Sequence, residues 1–318
     1  MDLLAQLINT TLVFSTALIL AALGGIFSER SGVVNIGLEG LMIVGAFSAA
    51  VFTYFSSEWG FGGGSPWFGL LMAVVCGVIF SLLHAVASIT LKANQVIIGV
   101  VINILALGAT IYLVKSLFDG QGQSENLTGI AFTKWNIPGL SDIPFIGEAL
   151  FKAYPTTYIC YVLVFLSWFV LYRTRFGLRL RAVGEHPGAA DTVGISVTKY
   201  RYIGVMLSGA FAGLGGAAIS LTTTYDFSHT TISGQGFIAI AAIIFGRWHP
   251  IGAAGAALFF GFAQALRFQA QLFEWSKAIP NEFLYMLPYV LTLLLLAFAA
   301  GKNRAPAAAG EPYDPGKR

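Results

Sequence analysis

The sequence predicts an all-α polytopic membrane protein with about nine transmembrane helices (eight to ten) and a short extra helix on one face of the membrane. Three observations lead there. Hydrophobic residues make up 56% of the chain and charged residues only 10%, where a soluble domain carries about 25% charge. Apolar runs close to the roughly 20 residues that span a hydrocarbon core recur along the chain. Glycine is abundant, at 37 residues, and membrane helices tolerate glycine better than soluble ones do. The net charge of +3, with no basic patch interleaved with aromatic residues, argues against a nucleic-acid partner.

Taken in order, the candidate spans cover residues 7–27, 33–55, 67–91, 95–118, 156–172, 202–222, 233–246, 251–272 and 283–300. The first lacks the basic flank and small-residue cleavage site of a signal peptide. The second and seventh are the weakest, being rich in glycine, and the seventh is short. Cys76 and Cys160 sit inside apolar runs without metal-ligand spacing. They read as packing residues, and neither a metal nor a cofactor is expected. No separate soluble domain is visible. Residues 1–300 read as one membrane domain, and 301–318, rich in Ala, Pro and Gly, as a disordered tail.

The basic residues give the spans a direction, because loops on the cytoplasmic side collect Lys and Arg. With the N-terminus outside and the C-terminus cytoplasmic, the inner loops hold Arg30, Lys92, the arginines 173, 175, 179 and 181, Lys199, Arg201, Arg247 and the basic residues of the tail. The outer side keeps only Lys115, Lys134, Lys152, Arg267 and Lys277, and most of the acids. An even number of spans would instead put both termini on one side. Two connections are long, an outer one over 119–155 and an inner one over 173–201, and long loops in compact proteins are commonly functional.

The inner connection reads RTRFGLRLRAVGEHPGAADTVGISVTKYR. After the arginine cluster, Gly184, Glu185, His186 and Pro187 are turn chemistry. Pro187 then opens one or two helical turns through Ala189, Ala190 and Asp191, and Gly194 ends them. The segment is either a positive loop that only sets topology or a rigid knob that docks in a groove of a cytoplasmic partner.

At this point a family resemblance enters. RAVGEHPGAADTVGI (181–195) resembles the coupling-helix loop of ABC-importer permeases of the branched-chain amino acid, ribose and nucleoside type. ERSGVVNIGLEG (29–40), LKANQVIIGVVIN (91–103), SDIPFIGEALF (141–151), GQGFIAIAAIIFG (234–246) and LPYVLTLLLL (287–296) are similar to the nucleoside and simple-sugar branch, in that order along the chain. The resemblance implies a cytoplasmic ABC ATPase docking on Gly184, Glu185, His186, Pro187, Ala189, Ala190, Asp191 and Gly194. It also implies a second permease chain in a heterodimer and an extracytoplasmic substrate-binding lipoprotein. The implied cargo is a nucleoside, with a simple sugar or a riboflavin-type vitamin as alternatives.

The few polar residues inside the spans carry the remaining information, since lipid offers them no partners. Glu39, between Gly37 and Gly40, either locks its span by bonding backbone or Arg30, or lines the gate. An ionised group at mid-bilayer costs at least about 2.5 kcal/mol. Gln95 and Asn103 are eight residues apart and share a helix face. With Asn35 and Gln235 they are candidates either for a translocation path or for helix–helix hydrogen bonds. The sixth span carries small residues from Ser208 to Ala218, a packing seam. GLEGLMIVGAF (37–47) and GQGFIAIAAIIFG (234–246) share a pattern that suggests an internal half-repeat.

No GxxxxGK[ST] pattern occurs, so the chain is not expected to bind ATP by that route. Paired intramembrane carboxylates are missing, which argues against an ion-coupled carrier and against a membrane enzyme. A transport subunit that draws energy from a partner is the first expectation. A lone secondary carrier and a membrane scaffold are the alternatives.

Overall fold

The computed structural model describes residues 2–270, Met286, Val290 and 305–314. Its helices are α1 (Asp2–Arg30), α2 (Leu38–Glu58), α3 (Ser65–Ala85), α4 (Gln95–Leu117), α5 (Pro155–Arg173), α6 (Arg175–Glu185), α7 (Pro187–Thr192), α8 (Val197–Ile219), α9 (Gln235–Phe245) and α10 (Pro250–Ala270). A two-stranded antiparallel ladder, Trp135–Asn136 with Lys152–Ala153, lies in the 119–155 connection. Helix starts carry clear chemical signals. Asn94 accepts from the backbone N–H of Val96 at 3.0 Å and of Ile97 at 3.1 Å to open α4. Pro155 opens α5, and Ser196 accepts from Lys199 N–H at 3.4 Å to open α8.

α8 is the spine. It packs against α1, α2 and α3, and the small-residue seam expected in the sixth span makes that possible. A Cβ on Gly216 would strike the Met42 carbonyl oxygen of α2, and one on Gly209 would strike the Gly77 carbonyl of α3. Backbones therefore touch where side chains would normally stand. α1, α2 and α8 are largely enclosed, whereas α3, α4 and α5 turn large apolar side chains outward, among them Leu71, Ile79, Ile97, Ile104, Val162 and Phe165. That outward face suits lipid.

Seven described helices are long and apolar enough to cross a membrane, namely α1, α2, α3 with its flanking turns, α4, α5, α8 and α10. About nine were expected, and the described residues confirm seven. The seventh run forms only the 11-residue α9, which at about 1.5 Å per residue reaches roughly 16 Å, half a bilayer core. The ninth run, 283–300, lies outside the described residues apart from Met286 and Val290. The suggested half-repeat is not confirmed by the fold. Both segments begin a helix inside the bundle, but α2 runs 21 residues and α9 runs 11.

The ends of α1, α3 and α5 and the starts of α4, α8 and α10 gather at one end of the bundle, the arginine-rich end. Residues 305–314 of the tail lie against it. Ala308 N–H donates to Gly184 O at 3.0 Å and Gly310 N–H to Gly32 O at 3.2 Å. The buried Arg201 guanidinium donates to Glu311 O at 2.9 Å, and Lys92 pairs with Asp314 at 3.1 Å. At the opposite end, Asn9 of α1 donates to Lys152 O at 2.9 Å and accepts from Lys134 Nζ at 2.7 Å, tying the long connection to the bundle. Burial holds the Lys134 ammonium below the usual lysine range, and Glu148 partly offsets this.

The Gly216→Ala variant is expected to lower the thermal midpoint of the purified protein, by overpacking worth about 1–3 kcal/mol. Gly108→Ala, on an open face of α4 with nothing within 4 Å, is expected to leave the midpoint unchanged or raise it. Differential scanning fluorimetry of both in the same detergent checks the pair.

Candidate functional site

Two helices start inside the bundle, and their starts meet. Residues 33–37 are not helical, and α2 begins at Leu38. α9 begins after Gly234, which holds a left-handed φ of 86°. Glu39, in the first turn of α2 and 7% exposed, bridges the two. Gly234 N–H donates to its Oε1 at 2.5 Å and Gly236 N–H to its Oε2 at 2.5 Å. Any Cβ on Gly236 would overlap Glu39, so glycine is required for the carboxylate to reach. The carboxylate thus caps the N-terminus of α9, where the helix dipole presents about half a positive charge. Of the two sequence readings of Glu39, the geometry matches the bond to backbone. Its partner is α9, not Arg30.

The other polar residues collect around the α2 break. Asn35 donates to Ser208 Oγ at 2.9 Å and accepts from Gly37 N–H at 3.0 Å. Asn103 accepts from Gly40 N–H at 2.7 Å and donates to Ile36 O at 3.1 Å. Gln95 accepts from Val34 N–H at 2.7 Å. Gln235 accepts from Ser233 N–H at the α9 start. All five residues are therefore brought together, and each uses its side chain on broken-helix backbone. Sequence reasoning missed His84, whose Nε2 lies 3.1 Å from Val34 O. The signal was available, since His84 is an ionisable residue in an otherwise apolar run.

At the arginine-rich end, the 173–201 connection is more ordered than a loop. α6 is a helix that the sequence reading did not anticipate. Thr174 Oγ1 accepts from Gly177 N–H at 3.2 Å to open it, and it buries Gly177, Leu180, Val183 and Gly184. α7 follows with Pro187 in its first turn, as expected. Its cap is His186, whose Nδ1 accepts from Ala189 N–H at 3.1 Å. Gly194 ends the turn at φ 80°. Ala190 packs inward with Val183 and Val197, while Glu185, His186, Ala189 and Gly194 remain exposed. Val193 stands out at the tip, 73% exposed, and sequence reading did not single it out. Among the described residues no group of three His, Cys, Asp or Glu could hold a metal.

Residues 7–296 match the family described as "Branched-chain amino acid transport system / permease component". The chain is 54% identical over 318 residues to the guanosine ABC transporter permease protein NupQ of Bacillus subtilis, covering 100% of this chain and 99% of that one. It is 44% identical over 308 residues to the nucleoside ABC transporter permease protein NupC of Lactococcus lactis, covering 96% of each. A further relative, the guanosine ABC transporter permease protein NupP of Bacillus subtilis, is 26% identical over 295 residues, covering 90% of this chain and 78% of its own. No solved structure matches.

Glu39→Ala is expected to leave the Gly234 and Gly236 N–H groups buried and unpaired, at a cost of about 1–3 kcal/mol each. Glu39→Gln keeps one acceptor and is expected to lose less. Thermal midpoints of the two variants should rank wild type, Gln, Ala, and an Ala variant as stable as wild type would remove the capping role.

Proposed function

The chain belongs to the family of branched-chain amino acid transport system permease components, and on that premise we propose that it is the permease subunit of an ATP-driven importer that carries nucleosides. Permeases of ABC transporters are transport components and work with an ATPase and a binding protein. The high identity to permeases named for guanosine and nucleosides, over the whole chain, supports the cargo. Simple sugars and riboflavin-type vitamins are less favoured by the same similarity. The ATP site belongs to the partner.

The observation that carries the mechanism is the α6–α7 knob. It is anchored inward by Ala190 and Val183 and presents Glu185, His186, Ala189 and the bare apolar tip Val193. A rigid protrusion with an apolar anchor and a polar rim suits a groove on a partner. The arginine concentration around it supports a cytoplasmic placement of this end, with the N-terminus outside. The ATPase then docks on Gly184–Gly194, and the binding protein delivers cargo to the opposite end. Bacillus subtilis carries two different chains named as guanosine permeases, NupQ and NupP, which supports pairing with a second, different permease.

The five polar residues at the helix breaks take part in gating through the backbone they hold. A path opens when the α2 and α9 starts separate or shift, exposing amides and N–H groups that suit a nucleobase or ribose.

Val193→Asp, or Glu185→Gln combined with Pro187→Ala, is expected to lower recovery of the co-expressed ATPase with the permease by about tenfold or more, with membrane insertion unchanged. Normal ATPase recovery and normal uptake would remove the docking role. The cargo is tested by uptake of radiolabelled guanosine into vesicles holding the full transporter, binding protein and ATP. Competition by unlabelled nucleosides but not by ribose or riboflavin is the expected result.

A further inference from the structure

The short helix α9 joins the two halves of the site. Its start holds Glu39, and its far end runs into the turn Arg247–Trp248–His249 at the arginine-rich end. That turn is tightly specified. Arg247 and Trp248 both adopt left-handed φ, 55° and 54°, a conformation that costs side-chain-bearing residues energy and persists only where surroundings impose it.

The surroundings that impose it come from the root of the α6–α7 knob. Arg30, the last residue of α1, donates from Nε to Trp248 O at 3.1 Å. The same guanidinium lies 3.7 Å from Glu185 Oε1 at the end of α6 and 3.5 Å from the Tyr172 hydroxyl. Tyr172 meets two further groups. Arg181 of α6 lies 4.8 Å over its ring, and the His249 ring lies 4.9 Å away. Glu29 accepts from the Trp248 indole N–H. Gly184 packs so closely on the Arg30 carbonyl that a Cβ would collide with it. Burial and the Arg30 charge hold His249 below its ordinary pKa.

We propose that Arg30 and Tyr172 are positioning residues that clamp the α9–α10 turn to the root of the α6–α7 knob, so that displacement of the knob moves α9 and its Glu39 cradle. This rests on the importer reading above and assigns residues to its transmission step. The clamp is built for this. Arg30 presents a planar fork that contacts three elements at once, which a point charge cannot do. α9 is short, 11 residues, and its two ends are fixed to different partners. Glu39 ties its start to α2, so a shift of the turn is delivered to the α2 break and not absorbed along a loop.

The test uses the complete transporter in vesicles, with ATPase, second permease and binding protein. Arg30→Met and Tyr172→Leu are compared with Arg30→Lys and with Arg179→Gln, which removes an exposed arginine of the same loop outside the clamp. ATP hydrolysis and guanosine uptake are measured together. The expected result is that Arg30→Met and Tyr172→Leu retain the ATPase and hydrolyse ATP, while uptake per ATP falls by about tenfold or more. Arg30→Lys should fall between, and Arg179→Gln should match wild type. Unchanged uptake per ATP in Arg30→Met and Tyr172→Leu overturns the proposal. A second readout keeps it separate from the cargo assignment. Spin labels at Ile244→Cys and Val162→Cys, both on exposed positions, report whether α9 moves relative to α5 when the ATPase is trapped with nucleotide. A distance change in wild type that disappears in Arg30→Met supports the clamp even if guanosine is not carried. A change that persists in Arg30→Met, or no change in wild type, overturns it. Should Arg30→Met fail to fold, Tyr172→Leu and Arg30→Lys decide by the same measures.

Discussion

A helix that begins inside a bundle exposes backbone N–H groups where no water can reach them, and each group left unpaired in hydrocarbon costs several kcal/mol. Among the described residues two helices start in this way, at Leu38 and Gln235. The carboxylate of Glu39 answers one of them directly, with an oxygen on each of two N–H groups, and its negative charge faces the positive end of the α9 dipole. A buried charge that would be expensive alone becomes the cap of a neighbouring helix. The rest of the interior is arranged so that this contact can exist. Gly234 supplies the left-handed turn, Gly236 clears the space, and the seam on α8 lets α1, α2 and α3 close around the junction.

Side chains from three helices bond the break that precedes the second start. Asn103 and Gln95 come from α4, His84 from α3 and Ser208 from α8, and between them they take up the groups of Val34, Ile36, Gly40 and Asn35. Asn35, Gln95, Asn103 and His84 are therefore each bound to backbone of the break. That arrangement makes the two breaks a single connected unit. Moving either start requires breaking several hydrogen bonds together, which favours discrete positions over gradual deformation.

Much of this was legible in the sequence. The apolar runs located the seven helices that reach span length, the arginines cluster at one end, and the short helix opened by Pro187 and closed by Gly194 formed as expected, although Gly184 and Glu185, read as part of a turn, are the end of α6. The glycines of α8 announced close packing because glycine at helical spacing has few other uses in an apolar run. Glu39 and the amides were recognisable as expensive and therefore purposeful. What most of them bond was not legible, because the partners of Glu39, Gln95 and Asn103 are backbone groups 61 to 197 residues away and backbone groups look alike in any sequence. α6 was missed for a related reason. Its three turns, carrying Arg175, Arg179 and Arg181, read as a charged loop, and only packing against the bundle shows that Leu180 and Val183 form a buried stripe. α9 was taken for a span because composition measures apolarity and not depth, and a half-length helix can be as apolar as a full one.

The distribution of charge also constrains how energy enters. Among the described residues the buried carboxylates are Glu29 and Glu39. Each is engaged, one by the Trp248 indole and the other by the start of α9. A carboxylate that relays protons must release its partners and meet water in turn. Here release of Glu39 would uncap α9, and release of Glu29 would free the turn that ends it. Ionic coupling through these groups would dismantle the scaffold it is meant to drive. Mechanical input at the arginine-rich end meets no such conflict. There the chain presents a rigid knob whose root is packed directly on the same turn, so that a push from outside the membrane and the capping of the interior break act on opposite ends of one short helix.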